Sequence, residues 1–165
     1  TAMLRSLVGS EMCIRDRNME APSKTSCNEF VKGDLMDYQD VFKFGKSVDI
    51  LTIEIENVNT HALSDLEKEG IKVYPQPNII KTIQNKCSQK EFYKNNKIPT
   101  AQFKLFDSKD QLKDEVARGL VSFPFVWKSE SMGYDGFGVK IVRSNQDLEQ
   151  VSSGTCLIEE LVNID

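Results

Sequence analysis

Residues 123–142 hold the clearest candidate for chemistry, a lysine at the end of an apolar run followed by closely spaced glycines. Lys128 ends this run, and Gly133, Gly136 and Gly138 follow it. An ammonium group supplies positive charge without demanding bidentate geometry, and glycines let backbone N–H groups approach an anion closely. The pattern therefore predicts a phosphate-binding loop between two strands. It is not a Walker A loop, because G-x-x-x-x-G-K-[ST] is absent, and the glycines taken alone fit an ordinary β-hairpin better.

A pair of carboxylates, Glu54 and Glu56, is the second candidate. Residues 48–56 are predicted to form a strand, in which side chains alternate, so that the two carboxylates share one face. Ligands of open parallel sheets bind beyond the carboxyl ends of the strands. Two carboxylates there suit the amine or hydroxyl groups of a sugar phosphate. A solvated strand end explains the pair equally well.

The composition argues against several other functions. The 165 residues carry a net charge of −4 with scattered lysines, so binding of nucleic acid is not expected. No apolar run approaches the ~20 residues that a membrane-spanning helix needs. The single histidine, His61, has no nucleophile motif beside it and cannot complete a usual zinc site with four scattered cysteines. These cysteines predict reduced thiols in a cytoplasmic protein.

The first half of the chain alternates between strand and helix. A helix over 37–44, the strand over 48–56, a helix after Thr60 and a strand over 71–74 form a βαβ rhythm, which predicts a parallel sheet. Residues 1–17 differ from this pattern and contain SLVGSEMCIRDR, which is similar to a contaminant at the ends of unrelated assembled sequences. We interpret 1–17 as a non-native leader and leave it out of the predicted fold.

The second half begins with residues 78–96, predicted as two helices that meet near Cys87. Ser88 and Glu91 have the spacing of a capping box for the second of them. A small α+β unit is predicted to follow, with strands over 102–106, 123–128, 138–142 and 155–160 and helices over 109–117 and 145–151.

Several motifs occur along the chain in the order of one known family. They are Thr52-Ile-Glu-Ile-Glu-Asn57, Val73-Tyr-Pro-Gln-Pro77, Ile83-Gln-Asn-Lys86, Ile98-Pro-Thr100, Gly133-Tyr-Asp-Gly136 and Cys156-Leu-Ile-Glu-Glu-Leu-Val162. Together they resemble the 5-(carboxyamino)imidazole ribonucleotide synthase family of ATP-grasp enzymes, over roughly residues 18–165. The resemblance implies an α/β fold: a partial Rossmann-like pre-ATP-grasp domain over 18–85, then the small α+β subdomain of a truncated ATP-grasp domain over 86–165.

The resemblance also implies roles for individual residues. Lys86 would contact a phosphate of ATP, and Lys128 would contact the α- and β-phosphates. The implied phosphate flap consists of Gly133, Tyr134, Asp135, Gly136, Phe137, Gly138 and Val139. The implied hinge, whose backbone would read the adenine edge, consists of Glu159, Glu160, Leu161 and Val162. The implied contacts to aminoimidazole ribonucleotide are Glu54, Glu56, Tyr134 and Asp135. Phe137 stands where many family members have Lys or Arg, which removes one phosphate charge.

The implied reaction is the ATP-dependent carboxylation of 5-aminoimidazole ribonucleotide by bicarbonate, through carboxyphosphate, in purine biosynthesis. ATP and Mg²⁺ are the expected cofactors, with no metal ligand in this chain and the magnesium ligands beyond Asp165. The chain is therefore expected to be incomplete at both ends and inactive alone, and the complete enzyme could form a homodimer. Two alternatives stay open, another ATP-grasp carboxylase or ligase and a noncatalytic nucleotide-binding module.

Overall fold

The structure is a computed structural model of the chain and describes residues 11–131 and 138–162. Two compact units divide the chain, Thr1–Ile80 and Lys81–Asp165. Both combine helices with strands, as the predicted α/β fold requires. No helix among the described residues is long and apolar enough to cross a membrane.

The first unit begins with two short parallel strands. β1 (Cys13–Asp16) pairs with β2 (Glu29–Lys32), and a 3-10 helix (Pro22–Ser26) lies between them. β1 belongs to the segment that was left out of the predicted fold, and for these four residues the omission was wrong. The strand is held by backbone pairing and by an ion pair of Arg15 with Asp40 at 2.7 Å, rather than by an apolar face that the sequence would reveal. The assignment of residues 1–17 as a leader stays a prediction.

A βαβ unit follows in the same compact unit. After α1 (Tyr38–Gly45), β3 (Ile50–Thr52) pairs in parallel with β4 (Lys72–Tyr74), and α2 (Thr60–Lys68) connects them. The predicted parallel pairing is confirmed. Asn59 caps α2, because its Oδ1 accepts a hydrogen bond from the Ala62 backbone N–H at 3.0 Å.

The core of the first unit forms where α1 and α2 pack together and against β3 and β4. Gly45 allows the close approach of the two helices, since a Cβ atom there would lie 2.2 Å from a methyl carbon of Leu66. The buried side chains of this core are Val41, Leu51, Val58, Ala62, Leu63, Leu66, Val73 and Ile80.

Two consecutive helices lead into the second unit. α3 (Pro77–Gln84) contains the division between the units, and α4 (Lys86–Asn95) begins two residues after α3 ends. Asn85 is the N-cap of α4, with its Oδ1 accepting from the Ser88 backbone N–H at 2.8 Å. The predicted pair of helices is confirmed, but their junction lies at Asn85, two residues before Cys87, and the predicted capping role of Ser88 is wrong. The helix starts earlier because Asn85 Oδ1 already satisfies one of its free N–H groups, that of Ser88.

The second unit contains a four-stranded antiparallel sheet. In chain order its strands are β5 (Phe103–Phe106), β6 (Phe125–Ser129), β7 (Val139–Val142) and β8 (Cys156–Glu160). Their spatial order is β5-β8-β6-β7, so the last strand inserts between the first two. β8 is consequently paired on both sides.

Two helices supply apolar residues to one face of this sheet. They are α5 (Lys109–Ala117), with Leu112 fully buried, and α6 (Asn145–Glu149), with Leu148 nearly so. Sheet residues of this face alternate along the strands, as the period of two requires. The core cluster consists of Phe106, Leu112, Val121, Phe125, Trp127, Val142, Leu148, Val151, Cys156 and Ile158.

Candidate functional site

The opposite face of the four-stranded sheet carries the candidate site. Because Phe125 and Trp127 point into the core, Val126 and Lys128 lie on the other face of β6. The pairing register places residues of the neighbouring strands beside them on that face, Val139 and Ile141 on β7 and Leu157 and Glu159 on β8. Val139 and Ile141 are exposed. This face thus combines charged groups with exposed apolar side chains.

Lys128 forms a bidentate ion pair with Glu159 on this face. Its Nζ lies 2.9 Å from Oε1 and 2.9 Å from Oε2 of the carboxylate. The side chain of Glu159 is 8% exposed and that of Lys128 is 25% exposed. The lysine predicted to bind phosphate is thus held in place by a residue of the predicted hinge, while part of it stays accessible.

A second lysine, Lys90 of α4, contacts the same carboxylate. Its Nζ lies 3.0 Å from Glu159 Oε1 and also donates a hydrogen bond to Thr100 Oγ1. The ammonium group lies 5.7 Å from the centre of the Phe103 ring, within the range of a cation–π contact. Two lysines and one glutamate leave one formal positive charge in excess, which favours an anionic ligand.

Lys90 was missed by the sequence analysis. Its helical spacing from Cys87 was the available signal, because residues three apart share one side of a helix and cysteine is among the residues most often buried. Both residues are buried in the structure. A lysine on the inward side of a helix requires a buried partner, and sequence alone does not show that Glu159 is that partner.

The ends of the predicted phosphate loop lie side by side. β6 and β7 are antiparallel neighbours, and the Ser129 backbone N–H donates to the Gly138 carbonyl at 2.9 Å. Gly138 has a φ of +68°, which glycine adopts without steric cost. The predicted arrangement of strand, loop and strand is confirmed. Val139, the last residue of the predicted flap, begins β7 opposite Lys128. The other predicted flap residues lie outside the described residues, namely Gly133, Tyr134, Asp135, Gly136 and Phe137.

The start of the loop is fixed to the start of α4. The Lys86 backbone N–H donates to the Glu130 carbonyl at 2.8 Å, and Asn85 Nδ2 donates to Glu130 Oε1 at 3.0 Å. Glu130 follows Lys128 by two residues. The structure therefore brings the backbone of Lys86 close to the segment that carries Lys128, and the contact of these two lysines with phosphates stays a prediction.

The predicted hinge begins at the end of β8. Glu159 faces the two lysines, whereas the Glu160 backbone N–H donates to the Gln102 carbonyl at 3.0 Å and is thus already used within the sheet. Leu161 and Val162 follow the strand, and Val162 is exposed. The contact of these four residues with an adenine edge stays a prediction.

Glu54 and Glu56 do not share a strand face, which corrects the sequence analysis. β3 ends at Thr52, the Ile53 N–H makes one more hydrogen bond to Tyr74 O, and residues 54–56 form a bend. Val58, just beyond this bend, is buried. Both carboxylates still follow the carboxyl end of a parallel strand, and Glu54 lines a cavity of about 440 Å³ within the first unit. Their contact with a substrate stays a prediction.

The cysteines form no disulfide bond, and two of the four are buried. All four cysteines are free thiols. Burial raises the pKa of the Cys87 thiol to about 11, with a smaller contribution from Glu130, and burial also raises that of Cys156. Within 11–131 and 138–162, no three His, Cys, Asp or Glu residues are grouped to hold a metal ion. The described residues therefore provide no magnesium site of this kind.

The two halves of the chain match two family models. A ribonucleotide synthetase pre-ATP-grasp domain matches residues 3–84, and an ATP-grasp domain matches residues 91–165. The chain belongs to the ATP-grasp ribonucleotide synthetase family. The family resemblance and the α/β fold predicted from the motifs are thereby confirmed.

Similar proteins of this family carry the names of purine biosynthesis enzymes. Phosphoribosylaminoimidazole carboxylase of Saccharomyces cerevisiae is 34% identical over 132 residues, covering 78% of this chain and 23% of that protein. N5-carboxyaminoimidazole ribonucleotide synthase of Synechococcus elongatus is 27% identical over 143 residues, covering 87% of this chain and 36% of that protein.

Solved structures of the family superimpose on nearly the whole chain. The N5-carboxyaminoimidazole ribonucleotide synthetase of Thermotoga maritima matches with a TM-score of 0.80 and 28% identity, over 99% of this chain and 42% of that one. The Aspergillus clavatus synthase, in complex with ADP and 5-aminoimidazole ribonucleotide, matches with a TM-score of 0.72 and 25% identity, over 97% of this chain and 42% of that one. The chain thus spans less than half the length of each of these relatives.

Proposed function

We propose that the complete protein is an ATP-grasp ligase that carboxylates 5-aminoimidazole ribonucleotide with bicarbonate, using ATP, in de novo purine biosynthesis. The observation that carries the proposal is the position of Lys128, partly exposed beside apolar side chains of the same sheet face, at the base of the β6–β7 loop. The names and the bound ADP and aminoimidazole ribonucleotide of similar family members support the choice of substrates.

The face around Lys128 suits both ends of a nucleotide. Val139 and Ile141 expose apolar side chains on the same face, and an aromatic base gains free energy by covering such groups. The excess positive charge of the two lysines and Glu159 favours the phosphates. We propose that the base lies near the hinge and that Lys128 and Lys86 contact the phosphate chain.

The proposed chemistry requires the protein mainly to position groups and compensate charge. A bicarbonate oxygen attacks the γ-phosphorus of ATP, ADP leaves, and carboxyphosphate forms. The amine of aminoimidazole ribonucleotide then attacks the carboxyl carbon, inorganic phosphate leaves with the bonding electrons, and the amine loses a proton. Lys128 stabilises charge on the phosphates during the first step. The flap residues 133–139 would exclude water, because carboxyphosphate hydrolyses readily.

Magnesium, a cytoplasmic location and a homodimer are further parts of the proposed function. Magnesium would accompany ATP through ligands outside the described residues. The four free cysteines support a cytoplasmic location. A homodimer of the complete enzyme is a further expectation, which light scattering of the purified protein would test.

The test is turnover by the protein expressed from the complete reading frame. We expect ADP release that depends on both bicarbonate and aminoimidazole ribonucleotide, with the carboxylated nucleotide as product. ADP release that requires a different acceptor would indicate another ATP-grasp ligase. Tight binding of ATP without turnover for any acceptor would indicate a noncatalytic module, and absence of nucleotide binding would contradict both.

A further inference from the structure

Lys90 and Glu159 are the two charged residues that are buried among those the structure describes, with 8% and 7% of their surface exposed. Burying an ion pair costs desolvation free energy, and such a pair persists only with good geometry and further hydrogen bonds. Both conditions are met here, because Lys90 Nζ lies 3.0 Å from Glu159 Oε1 and also donates to Thr100 Oγ1.

The two lysines that share Glu159 differ in exposure to solvent. Lys90 is enclosed, with its side chain 10% exposed and its ammonium near the Phe103 ring. Lys128 is 25% exposed and lies on β6 near the base of the loop. An incoming anion therefore reaches Lys128 more readily than Lys90, and it competes with Glu159 for the same ammonium group.

We propose that Lys90 is a positioning residue that neutralises Glu159 and thereby releases Lys128 to a nucleotide phosphate. This inference rests on the proposed function, since it takes the anion to be the phosphate of an adenine nucleotide. Before binding, Glu159 holds Lys128 in place through both oxygens. When the ammonium turns to the phosphate, Lys90 stays and keeps the buried carboxylate paired.

Lys90 lowers the free-energy cost of moving Lys128 from Glu159 to a phosphate. Without Lys90, transfer of Lys128 to a phosphate would leave Glu159 buried and uncompensated, which is strongly unfavourable. Lys128 would then stay with Glu159, and the contribution of the phosphates to affinity would fall. Contacts to the base and ribose would be unaffected, because they do not require Lys128 to move.

The experiment compares ADP with adenosine as ligands of the complete protein. Calorimetric titration would give the dissociation constants for wild type, Lys90→Met and Thr100→Val, with Lys113→Met as the control. Lys113 forms a 2.6 Å pair with Glu149 elsewhere in the same unit, so its loss removes an equal charge away from the site. We expect Lys90→Met to weaken ADP binding at least tenfold, about 1.4 kcal/mol, with little change for adenosine. Thr100→Val keeps the charge but loses the hydrogen bond that fixes Lys90, and should give a smaller effect in the same direction.

The double variant Lys90→Met with Glu159→Gln separates charge from packing. Removing the carboxylate as well frees Lys128, so ADP affinity should recover relative to Lys90→Met. Equal weakening of ADP and adenosine by Lys90→Met, or no recovery in the double variant, would overturn the inference while leaving the proposed function intact. If Lys90→Met does not fold, the ratio of the dissociation constants for ADP and adenosine is measured instead for Thr100→Val and the double variant. That ratio then tests the inference. Failure of the wild type to bind ADP would contradict the proposed function itself.

Discussion

Lys128 and Glu159 lie diagonally across two neighbouring antiparallel strands, on the same face of the sheet. The register pairs Lys128 with Leu157 and Glu159 with Val126, so the two charged residues are offset by two positions. Long side chains bridge such a diagonal, and the ammonium contacts both carboxylate oxygens at 2.9 Å. The predicted phosphate lysine and the predicted hinge are thus coupled directly, although 31 residues separate them in sequence.

Replacement of Lys128 by alanine should weaken nucleotide binding without unfolding the protein. Glu159 would keep Lys90 as its partner at 3.0 Å, so no buried charge is left alone. The phosphates would lose a point charge, and we expect the KM for ATP of the complete enzyme to rise at least tenfold, about 1.4 kcal/mol. Steady-state kinetics with ATP as the varied substrate measures this.

The control for Lys128 is Lys104→Ala. Lys104 lies on β5 and pairs with Glu115 at the other face of the same sheet, where its side chain is half-exposed. Its loss removes one positive charge from the same unit but none from the site. An equal rise in KM for both variants would mean that general charge, and not the position of Lys128, attracts the nucleotide.

The sequence predicts most of the frame that positions Lys128. Short apolar runs mark β6 and β8, and the glycines mark the loop between β6 and β7, because these signals are local. The same is true of the βαβ unit around α2. The spatial order of the strands is a long-range property, and no local pattern shows that β8 inserts between β5 and β6.

The failures of the sequence analysis have specific physical causes. Glu54 and Glu56 continue the alternating pattern of β3 in the sequence. The chain bends after Ile53, however, and Val58 beyond the bend is buried, so the two carboxylates do not share a strand face. Lys90 resembles any lysine of a polar helix, because only the tertiary structure supplies Glu159 as its partner. A pattern of residue types thus gives the direction of a side chain only as far as its element extends.

Asn85 should stabilise the second unit through two separate hydrogen bonds. Its Oδ1 caps α4 and its Nδ2 donates to Glu130 Oε1. Asn85→Ala loses both, and loss of the cap alone costs about 1 kcal/mol in the free energy of unfolding. Asn85→Asp keeps the capping acceptor but places a second carboxylate against Glu130. Urea unfolding measures both variants.

Glu130→Gln distinguishes these two contributions. An amide at position 130 can donate to the new carboxylate, so it should restore stability to Asn85→Asp but not to Asn85→Ala. If Glu130→Gln lowers the stability of both variants equally, the contact between residues 85 and 130 is not the source of the Asn85→Asp effect.

Cys87 should be resistant to alkylation in the folded protein. Burial raises the pKa of its thiol to about 11, so at about pH 8 roughly one thiol in a thousand is the reactive thiolate. Cys27, which is only half-buried, is the internal comparison. Mass spectrometry after timed treatment with iodoacetamide should show slower modification of Cys87, with the difference lost in denaturant. Modification of Cys87 as fast as Cys27 in the folded protein would contradict its burial.

Protonation of the Asp147 carboxylate should make the second unit less stable in acid. Hydrogen bonds from the backbone N–H of Arg143 at 2.9 Å and from the Ser144 hydroxyl hold the pKa of this carboxyl below its ordinary 3.8, the Arg143 N–H being the larger cause. A carboxyl whose pKa is lower in the folded state stabilises the fold above its unfolded pKa, and this stabilisation is lost as the pH falls through the folded pKa.

Asp147→Asn should therefore destabilise the protein at about pH 6 and have a progressively smaller effect below about pH 4. Asp114→Asn, on the exposed side of α5, removes the same charge and is the matched control. The free energy of unfolding, measured in urea at a series of pH values, gives both differences. A difference between wild type and Asp147→Asn that stays constant from about pH 6 to about pH 3 would show that the carboxylate at the start of α6 does not stabilise the fold through its charge.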